Sequence, residues 1–268
     1  MKRQFFKKLV YDYLNFLGAL GRLIWRTPRV AILLYHSIGD SPAFFNVTKE
    51  AFVKQLEFLK RQKYQVVPLS LLVEKLKKGE PLADKTVVLT FDDGYSDNFV
   101  NAWPALKEHN FPATIFLAAG HLGQLLGNSE GGQIQVLNEA QIKEMVGSGL
   151  IELASHTQSH PRLEKISDVD FAQEARLSKE TIEKITGQPC RFFAYPRGYW
   201  RESFFGILQD LGYEAACSVQ EGLIKVGDNP FCLKRNMVYG FISWAEFKGK
   251  LTQAVVVYNW LKNLLKKS

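Results

Sequence analysis

Cysteine is scarce in this sequence, and none of it is spaced for a disulfide or metal framework. Only three cysteines occur in 268 residues, and no two of them form a CxxC pair. A small secreted scaffold depends on several disulfides, and a zinc ribbon depends on paired thiolates. Both classes are therefore excluded. The length is sufficient for one domain with a full hydrophobic core, or for two small ones.

Long apolar runs are also missing. No uncharged apolar stretch reaches 18 residues, so a conventional transmembrane helix is not expected. The opposite extreme is excluded as well, because 46% hydrophobic and 13% aromatic residues are far above the content of a disordered chain. We therefore expect a folded globular protein.

The body of the chain lacks the positive charge that the whole chain carries. The formal net charge is +7, yet residues 1–26 carry +5 and residues 248–268 carry another +5, which leaves −3 for the body. A nucleic-acid-binding domain normally displays a basic stripe. Because the basic excess belongs to the two ends, no nucleic-acid partner is expected.

The N-terminal segment, residues 1–26, is predicted to form a basic amphipathic helix. Its apolar residues recur at helical spacing, at Phe6, Leu9, Val10, Tyr13, Leu17, Leu20 and Ile24. A cleaved signal peptide is not expected, because Asp12, Asn15 and Arg22 interrupt the apolar run and no A-x-A site follows. Such helices often lie in the interface of an anionic membrane. The alternative is an ordinary helix packed on the domain, with its lysines in solvent.

The C-terminal segment, residues 248–268, repeats this pattern and leaves the same two interpretations open. Its apolar side would consist of Val256, Tyr258, Trp260, Leu261, Leu264 and Leu265, followed by the basic residues Lys262, Lys266 and Lys267. Without a signal peptide or paired cysteines, we expect a membrane-associated protein on the cytoplasmic face. An uncleaved N-terminal anchor that holds the protein outside is the alternative.

Residues 27–247 form one predicted domain of alternating strands and helices. Seven apolar runs are predicted strands, at 29–35, 65–67, 86–91, 113–118, 150–154, 192–195 and 214–219. Helical patterns lie between them, at 49–63, 69–78, 138–147 and 171–186. This alternation predicts a parallel α/β fold, and about seven units favour a distorted (β/α) barrel over an open sheet. The glycine-rich segment 120–132 is predicted to be a flexible loop.

Polar residues follow four of these strands directly. They are His36, the pair Asp92 and Asp93, the segment 155–160 with His156 and His160, and the segment 196–198. In a parallel α/β fold the carboxyl ends of the strands form one rim, where function gathers. Each feature alone has a structural explanation, as a turn, a cap or a surface histidine. Their coincidence at one rim favours a functional site.

Two histidines and one carboxylate form a three-ligand set with open positions, which is typical of a catalytic zinc site. Pro161 argues against a helical HxxxH site, so a site in a loop after a strand is expected. Of the adjacent aspartates, one can bind the metal while the other accepts a proton from the water that the metal acidifies.

These motifs resemble those of the NodB-like polysaccharide deacetylases, carbohydrate esterase family four. The resemblance lies in TFDDG at 90–94, SHTQSH at 155–160 and FAYPRG at 193–198. LLYHSIG at 33–39 and LKRNMV at 233–238 resemble the branch that de-N-acetylates exopolysaccharide. The family implies a barrel that holds one divalent metal ion, with Zn²⁺ preferred over Co²⁺ or Ni²⁺.

The resemblance also implies a role for each matching residue. Asp93, His156 and His160 would hold the metal, and Asp92 would be the general base. The turn of Tyr195, Pro196, Arg197 and Gly198 would bind substrate and stabilise the oxyanion, through a backbone N–H near Arg197.

The chain departs from the family pattern at two places. Many members have a histidine late in the sequence that acts as the general acid. No histidine follows His160 in this chain, so His36 is expected to be the general acid. Many members also carry an arginine where this chain has Ala194, and we expect Arg197 or Arg191 to replace it. The predicted function is removal of N-acetyl groups from amino sugars of a polysaccharide or glycoconjugate. The alternatives are a deacylase of a lipid-linked sugar or glycolipid at an anionic membrane surface, and an inactive member that only binds glycan.

Overall fold

A computed structural model describes residues 2–21, 29–127 and 132–267. The strands are β1 (Ala31–Tyr35), β2 (Gln65–Val66), β3 (Thr86–Phe91), β4 (Ala113–Leu117), β5 (Leu125–Gly127), β6 (Gln133–Gln135), β7 (Ile151–Ser155), β8 (Phe192–Ala194), β9 (Ala215–Cys217) and β10 (Asn236–Met237). The helices are α1 (Lys2–Gly21), α2 (Lys49–Arg61), α3 (Leu69–Lys77), α4 (Trp103–His109), α5 (Glu139–Gly147), α6 (Asp168–Thr186), α7 (Glu202–Asp210), α8 (Trp244–Lys250) and α9 (Ala254–Lys267).

One curled parallel sheet forms the centre of the domain. Its strand order is β10-β1-β3-β4-β7-β8-β9, and β2 pairs with β3. Every residue of β1 and β3 is buried, which explains why these strands appear in the sequence as continuous apolar runs. All seven predicted strands are confirmed, as is the distorted (β/α) barrel.

A short segment before and within β10 joins the two edges of the sheet. Leu233 accepts a hydrogen bond from the Ser218 N–H at 2.8 Å and donates one to the Ala216 carbonyl at 2.9 Å, beside β9. Three residues later, Asn236 pairs in register with Leu33 of β1. The curled sheet is thereby closed into a barrel. Sequence patterns missed β10, because it is only two residues long.

The start of one helix was predicted correctly from its cap, and the start of another was not. Asn138 and Gln141 form the expected capping box of α5. The helix predicted at 171–186 begins earlier, at Asp168, because Ser167 and Asp170 form a second capping box. A π-helical turn (Asn98–Ala102) that continues into α4 was not predicted.

The segment 120–132 is not simply a loop. Residues 125–127 and 133–135 pair as the antiparallel strands β5 and β6, and residues 128–131 lie outside the described residues. Tyr95 bridges to Val136, so this hairpin adjoins the turn that follows β3. The prediction of a flexible loop was therefore wrong for the paired residues, which form a strand too short to show a strand pattern in the sequence.

The two terminal segments pack against each other. Tyr11 of α1 is buried and stacks on Tyr258 of α9, with ring centroids 4.7 Å apart. The predicted N-terminal helix is present from residue 2 to 21, whereas residues 22–28, which include Arg22 and Ile24, lie outside the described residues. The C-terminal segment is divided between the end of α8 and α9. Within the described ranges, no helix combines the length and apolarity that crossing a membrane requires.

Candidate active site

Three predicted metal ligands converge at the rim of the barrel. Asp93 follows β3, and His156 and His160 follow β7. One ligand atom from each lies within 4.8 Å of the others. Asp93 Oδ1 is 3.5 Å from His156 Nε2 and 3.4 Å from His160 Nε2. The folded chain thus brings together residues that are more than sixty positions apart.

The surroundings of this trio prepare it for a metal ion. His156 Nδ1 donates a hydrogen bond to the Ala194 carbonyl at 2.8 Å, which leaves the lone pair of Nε2 available. Burial lowers the pKa of His160 to about 4, so its ring is neutral near pH 7. Burial raises the pKa of Tyr95, and its hydroxyl donates to Asp93. Two imidazoles and one carboxylate fit Zn²⁺ with open coordination positions.

The backbone at this site is strained. Asp93, Thr157 and His160 all adopt left-handed conformations, with φ of 70°, 69° and 55°. Gly94 has φ of 69° as well, and a Cβ there would lie 2.4 Å from the Leu117 side chain. Such conformations cost free energy for residues other than glycine and cluster at functional sites. Here they turn the chain sharply after β3 and β7, so that adjacent side chains reach the same centre.

Asp92 lies beside the trio and is held by an arginine. The Arg235 guanidinium donates two hydrogen bonds to the Asp92 carboxylate, at 2.6 and 2.7 Å. Burial alone would raise the pKa of Asp92, but Arg235 and then His156 hold it at about 2. The carboxylate is therefore ionised at neutral pH and oriented as a proton acceptor.

Arg235 is the residue that sequence reasoning missed. It is fully buried inside the barrel, and its Nε donates to the Ser218 carbonyl at 3.0 Å. The prediction that Arg197 or Arg191 replaces the missing arginine was wrong. Arg191 pairs with Glu214 at 2.8 Å, and Arg197 is exposed. The motif LKRNMV contained the signal, but only closure of the barrel by β10 brings Arg235 to Asp92.

His36 lies near the same centre, on a loop that is fixed at several points. Asn98 Nδ2 donates to the His36 carbonyl at 2.8 Å, and Asn101 Nδ2 donates to the Ile38 carbonyl at 2.7 Å. The His36 Nδ1 is buried and has no hydrogen-bond partner among the described residues. Burial lowers the pKa of His36, while the nearby Asp93 and Asp92 oppose that shift.

The turn after β8 divides its residues between core and site. The Tyr195 side chain is buried in the core, donates to the Phe231 carbonyl at 3.0 Å, and has no surface for a substrate. Tyr195 was predicted as part of the turn that binds substrate, but its side chain lies in the core, since β8 turns only after it. Arg197 has φ of 59°, and its N–H makes no hydrogen bond within the described ranges.

Pro196 and Gly198 shape this turn. Pro196 is buried and contributes no N–H. Gly198 has φ of 73°, and a Cβ there would lie 2.1 Å from the Val219 side chain, so the position requires glycine. Its N–H donates to the Tyr195 carbonyl at 2.8 Å. Together they leave the Arg197 N–H as the free donor of the turn.

Several known proteins are similar to this chain in sequence and in fold. The chain is 23% identical over 202 residues to the poly-beta-1,6-N-acetyl-D-glucosamine N-deacetylase of Staphylococcus aureus, which covers 72% of this chain and 68% of that protein. The solved structure of the Streptococcus pyogenes deacetylase PplD, in complex with acetate, is 27% identical with a TM-score of 0.74, over 84% of this chain and 99% of that one. IcaB from Ammonifex degensii is 25% identical with a TM-score of 0.73, over 82% and 94% of the two chains.

The family comparison gives the same assignment. The sequence profile of the family described as polysaccharide deacetylase matches residues 79–216, which include Asp92, Asp93, His156 and His160. Its members are hydrolases of carbohydrate esterase family four. The chain therefore belongs to the polysaccharide deacetylase family.

Proposed function

We propose that this protein is a metal-dependent hydrolase that removes N-acetyl groups from N-acetylated amino sugars of a polysaccharide. One observation carries the proposal. The open trio of Asp93, His156 and His160 adjoins Asp92, which Arg235 keeps ionised. A metal ligand set beside an ionised carboxylate supplies a Lewis acid and a proton acceptor, which together can hydrolyse an unactivated amide.

The relatives support the choice of substrate class. The Staphylococcus aureus relative is named for N-deacetylation of poly-beta-1,6-N-acetyl-D-glucosamine. PplD was solved with acetate, the acid that deacetylation of an acetamide releases. We extend this substrate class, N-acetylated glycan, to the present chain.

A divalent ion held by Asp93, His156 and His160 would polarise the acetamide carbonyl and acidify a nearby water. Asp92 accepts a proton from the attacking water, whose oxygen bonds to the carbonyl carbon. The low pKa of Asp92 keeps the acceptor ionised but makes it a weak base. The N–H of Arg197 is free to donate to the developing oxyanion.

His36 completes the proposed reaction as the general acid. It donates a proton to the amide nitrogen as the C–N bond breaks, which releases acetate and leaves a free amine on the sugar. Its buried Nδ1 has no partner among the described residues. Burial lowers the pKa of His36, which makes the protonated ring a stronger acid, while Asp93 and Asp92 partly oppose that shift. The hydrogen bonds from Asn98 and Asn101 fix the loop that carries His36, which keeps its ring in place during the reaction.

Acetate release across a panel of substrates tests this function. The panel contains chitin-type, peptidoglycan, poly-N-acetylglucosamine and lipid-linked acetylated sugars, each with purified protein and added Zn²⁺. We expect release from at least one polymer, and loss of release in Asp92→Asn and in His156→Ala. Asp84→Asn, which removes an exposed carboxylate, is the matched control and should keep full activity.

Three outcomes contradict the proposal in different ways. Metal binding without turnover on any substrate favours the inactive glycan-binding alternative. Activity that survives both Asp92→Asn and His156→Ala excludes the proposed mechanism. Release from lipid-linked substrates alone assigns the protein to the glycolipid deacylases.

A further inference from the structure

The inner side of α1 is held to the domain by aromatic and polar contacts. Lys7 Nζ lies 2.5 Å from a Glu246 carboxylate oxygen and donates to the Tyr239 hydroxyl at 2.7 Å. Tyr11 is fully buried against α9, and Asn15 Nδ2 donates to the Ala245 carbonyl at 2.9 Å. Positions 7, 11 and 15 follow the four-residue repeat of one helix face. We call these contacts between α1 and the helices α8 and α9 the seam. The seam accounts for the packing of α1.

The opposite side of α1 carries apolar side chains that are exposed to solvent. Leu9 and Tyr13 follow the seam positions by two residues, which is about 200° around the helix axis. Their exposed fractions are 49% and 63%. The seam does not use this face. An apolar face that serves no packing contact is a candidate interaction surface.

The neighbouring helix α9 exposes apolar residues as well. Trp260 and Leu264 have exposed fractions of 60% and 48%. The two helices are in direct contact through Tyr11 and Tyr258. We call Leu9, Tyr13, Trp260 and Leu264 the outer apolar surface.

The charge around the outer apolar surface identifies its partner. Lys8 and Lys262 are exposed on the same two helices. Residues 1–26 and 248–268 each carry +5, whereas the rest of the chain carries −3. Tyrosine, tryptophan and leucine next to lysine are the residues with which amphipathic helices enter an anionic lipid interface. Self-association would bring such cationic ends together, whereas an anionic bilayer neutralises them.

We propose that the outer apolar surface docks this protein on an anionic lipid bilayer, with α1 lying in the interface and its seam facing the barrel. Docking requires no opening of the domain, because the surface is already exposed. This inference does not depend on the proposed function, since the catalytic residues take no part in it.

Vesicle co-sedimentation of the full chain tests the docking. Vesicles of phosphatidylcholine with roughly a quarter phosphatidylglycerol should bind the wild type, and pure phosphatidylcholine should bind it much more weakly. Leu9→Glu combined with Tyr13→Glu should weaken binding at least about tenfold, because both charges would enter the interface. Trp260→Glu should weaken it independently.

Val169→Glu is the matched control, because Val169 is 77% exposed on α6, away from the outer apolar surface. It should bind vesicles like the wild type. Equal thermal unfolding of all variants shows that the fold persists. Unchanged binding by the double variant overturns the proposal. A wild type that does not bind vesicles also overturns it. If that wild type forms a dimer in analytical ultracentrifugation and the double variant does not, the outer apolar surface is instead a contact between two copies of the chain.

Discussion

Two regions among the described residues contain buried charge, and they differ in the backbone conformation around it. At the rim of the barrel, Arg235 holds Asp92 beside the trio of Asp93, His156 and His160. In the seam of the terminal helices, the fully buried Lys250 contacts Glu221 and Glu246. Both regions neutralise charge by pairing, as burial demands.

The backbone separates the two regions. Seven non-glycine residues of the described chain have positive φ, and four of them lie in the rim turns: Asp93, Thr157, His160 and Arg197. The seam is made of regular helices. Backbone strain is therefore concentrated in the region where the geometry of the reacting groups matters, while the seam achieves charge pairing without it. Buried ion pairs alone do not identify an active site, whereas buried ion pairs on strained turns do.

Removing a proposed metal ligand should cause the largest effect. His156→Ala, or chelation of the wild type, should abolish acetate release, because the remaining donors cannot hold the ion. At a hundredfold excess over its Kd, zinc should stabilise the folded wild type by about 2.7 kcal/mol and thereby raise its thermal midpoint. Differential scanning fluorimetry with and without zinc measures this. A zinc-dependent shift of equal size in His156→Ala would contradict the assignment of the ligands.

Loss of Arg235 should reduce catalysis next most strongly. Arg235→Gln leaves Asp92 buried without its cation, so the pKa of Asp92 should rise and kcat should fall roughly a hundredfold or more. Breaking a buried pair should also cost about 3–5 kcal/mol of stability. The pH profile of kcat/KM separates the two effects, because only a positioning role moves its acidic limb. An unchanged profile would reduce Arg235 to a structural residue.

Most of the barrel could be predicted from the sequence, because strands buried on both faces leave unbroken apolar runs such as residues 86–91. That Asp93, His156 and His160 lie together could be predicted because they follow those runs directly. Arg235 could not, since its partner is 143 positions away and only barrel closure joins them. Tyr195 was misassigned because its motif does not reveal on which side of the turn its ring lies.

Asp97 offers a smaller effect, on the dependence of stability on pH. Burial raises the pKa of Asp97 from 3.8 to about 6, against hydrogen bonds from Ser37, Ile38 and Asn98. The folded state therefore binds this proton more tightly than the unfolded state. The resulting stability is complete below pH 4 and is lost as pH rises through 6, by roughly 3 kcal/mol at most.

Asp97→Asn should remove that loss, because an amide resembles the protonated acid in its contact with Ser37. The stability of the variant relative to the wild type should rise between pH 4 and pH 7, as measured by urea unfolding at each pH. A constant difference across this range would show that Asp97 titrates normally in the fold.

The seam should give the smallest effect and the sharpest test of the contrast. Lys7→Met removes one cation from Glu246, which keeps Tyr239 and Lys250 as partners. We expect a loss of about 1 kcal/mol in urea unfolding, because the pair is only partly buried, and no change in kcat. Lys8→Met, which breaks an exposed pair with Asp12, is the control and should be neutral. If kcat falls for Lys7→Met but not for Lys8→Met, the packing of the seam affects the position of Arg235 through β10. The two regions would then be coupled.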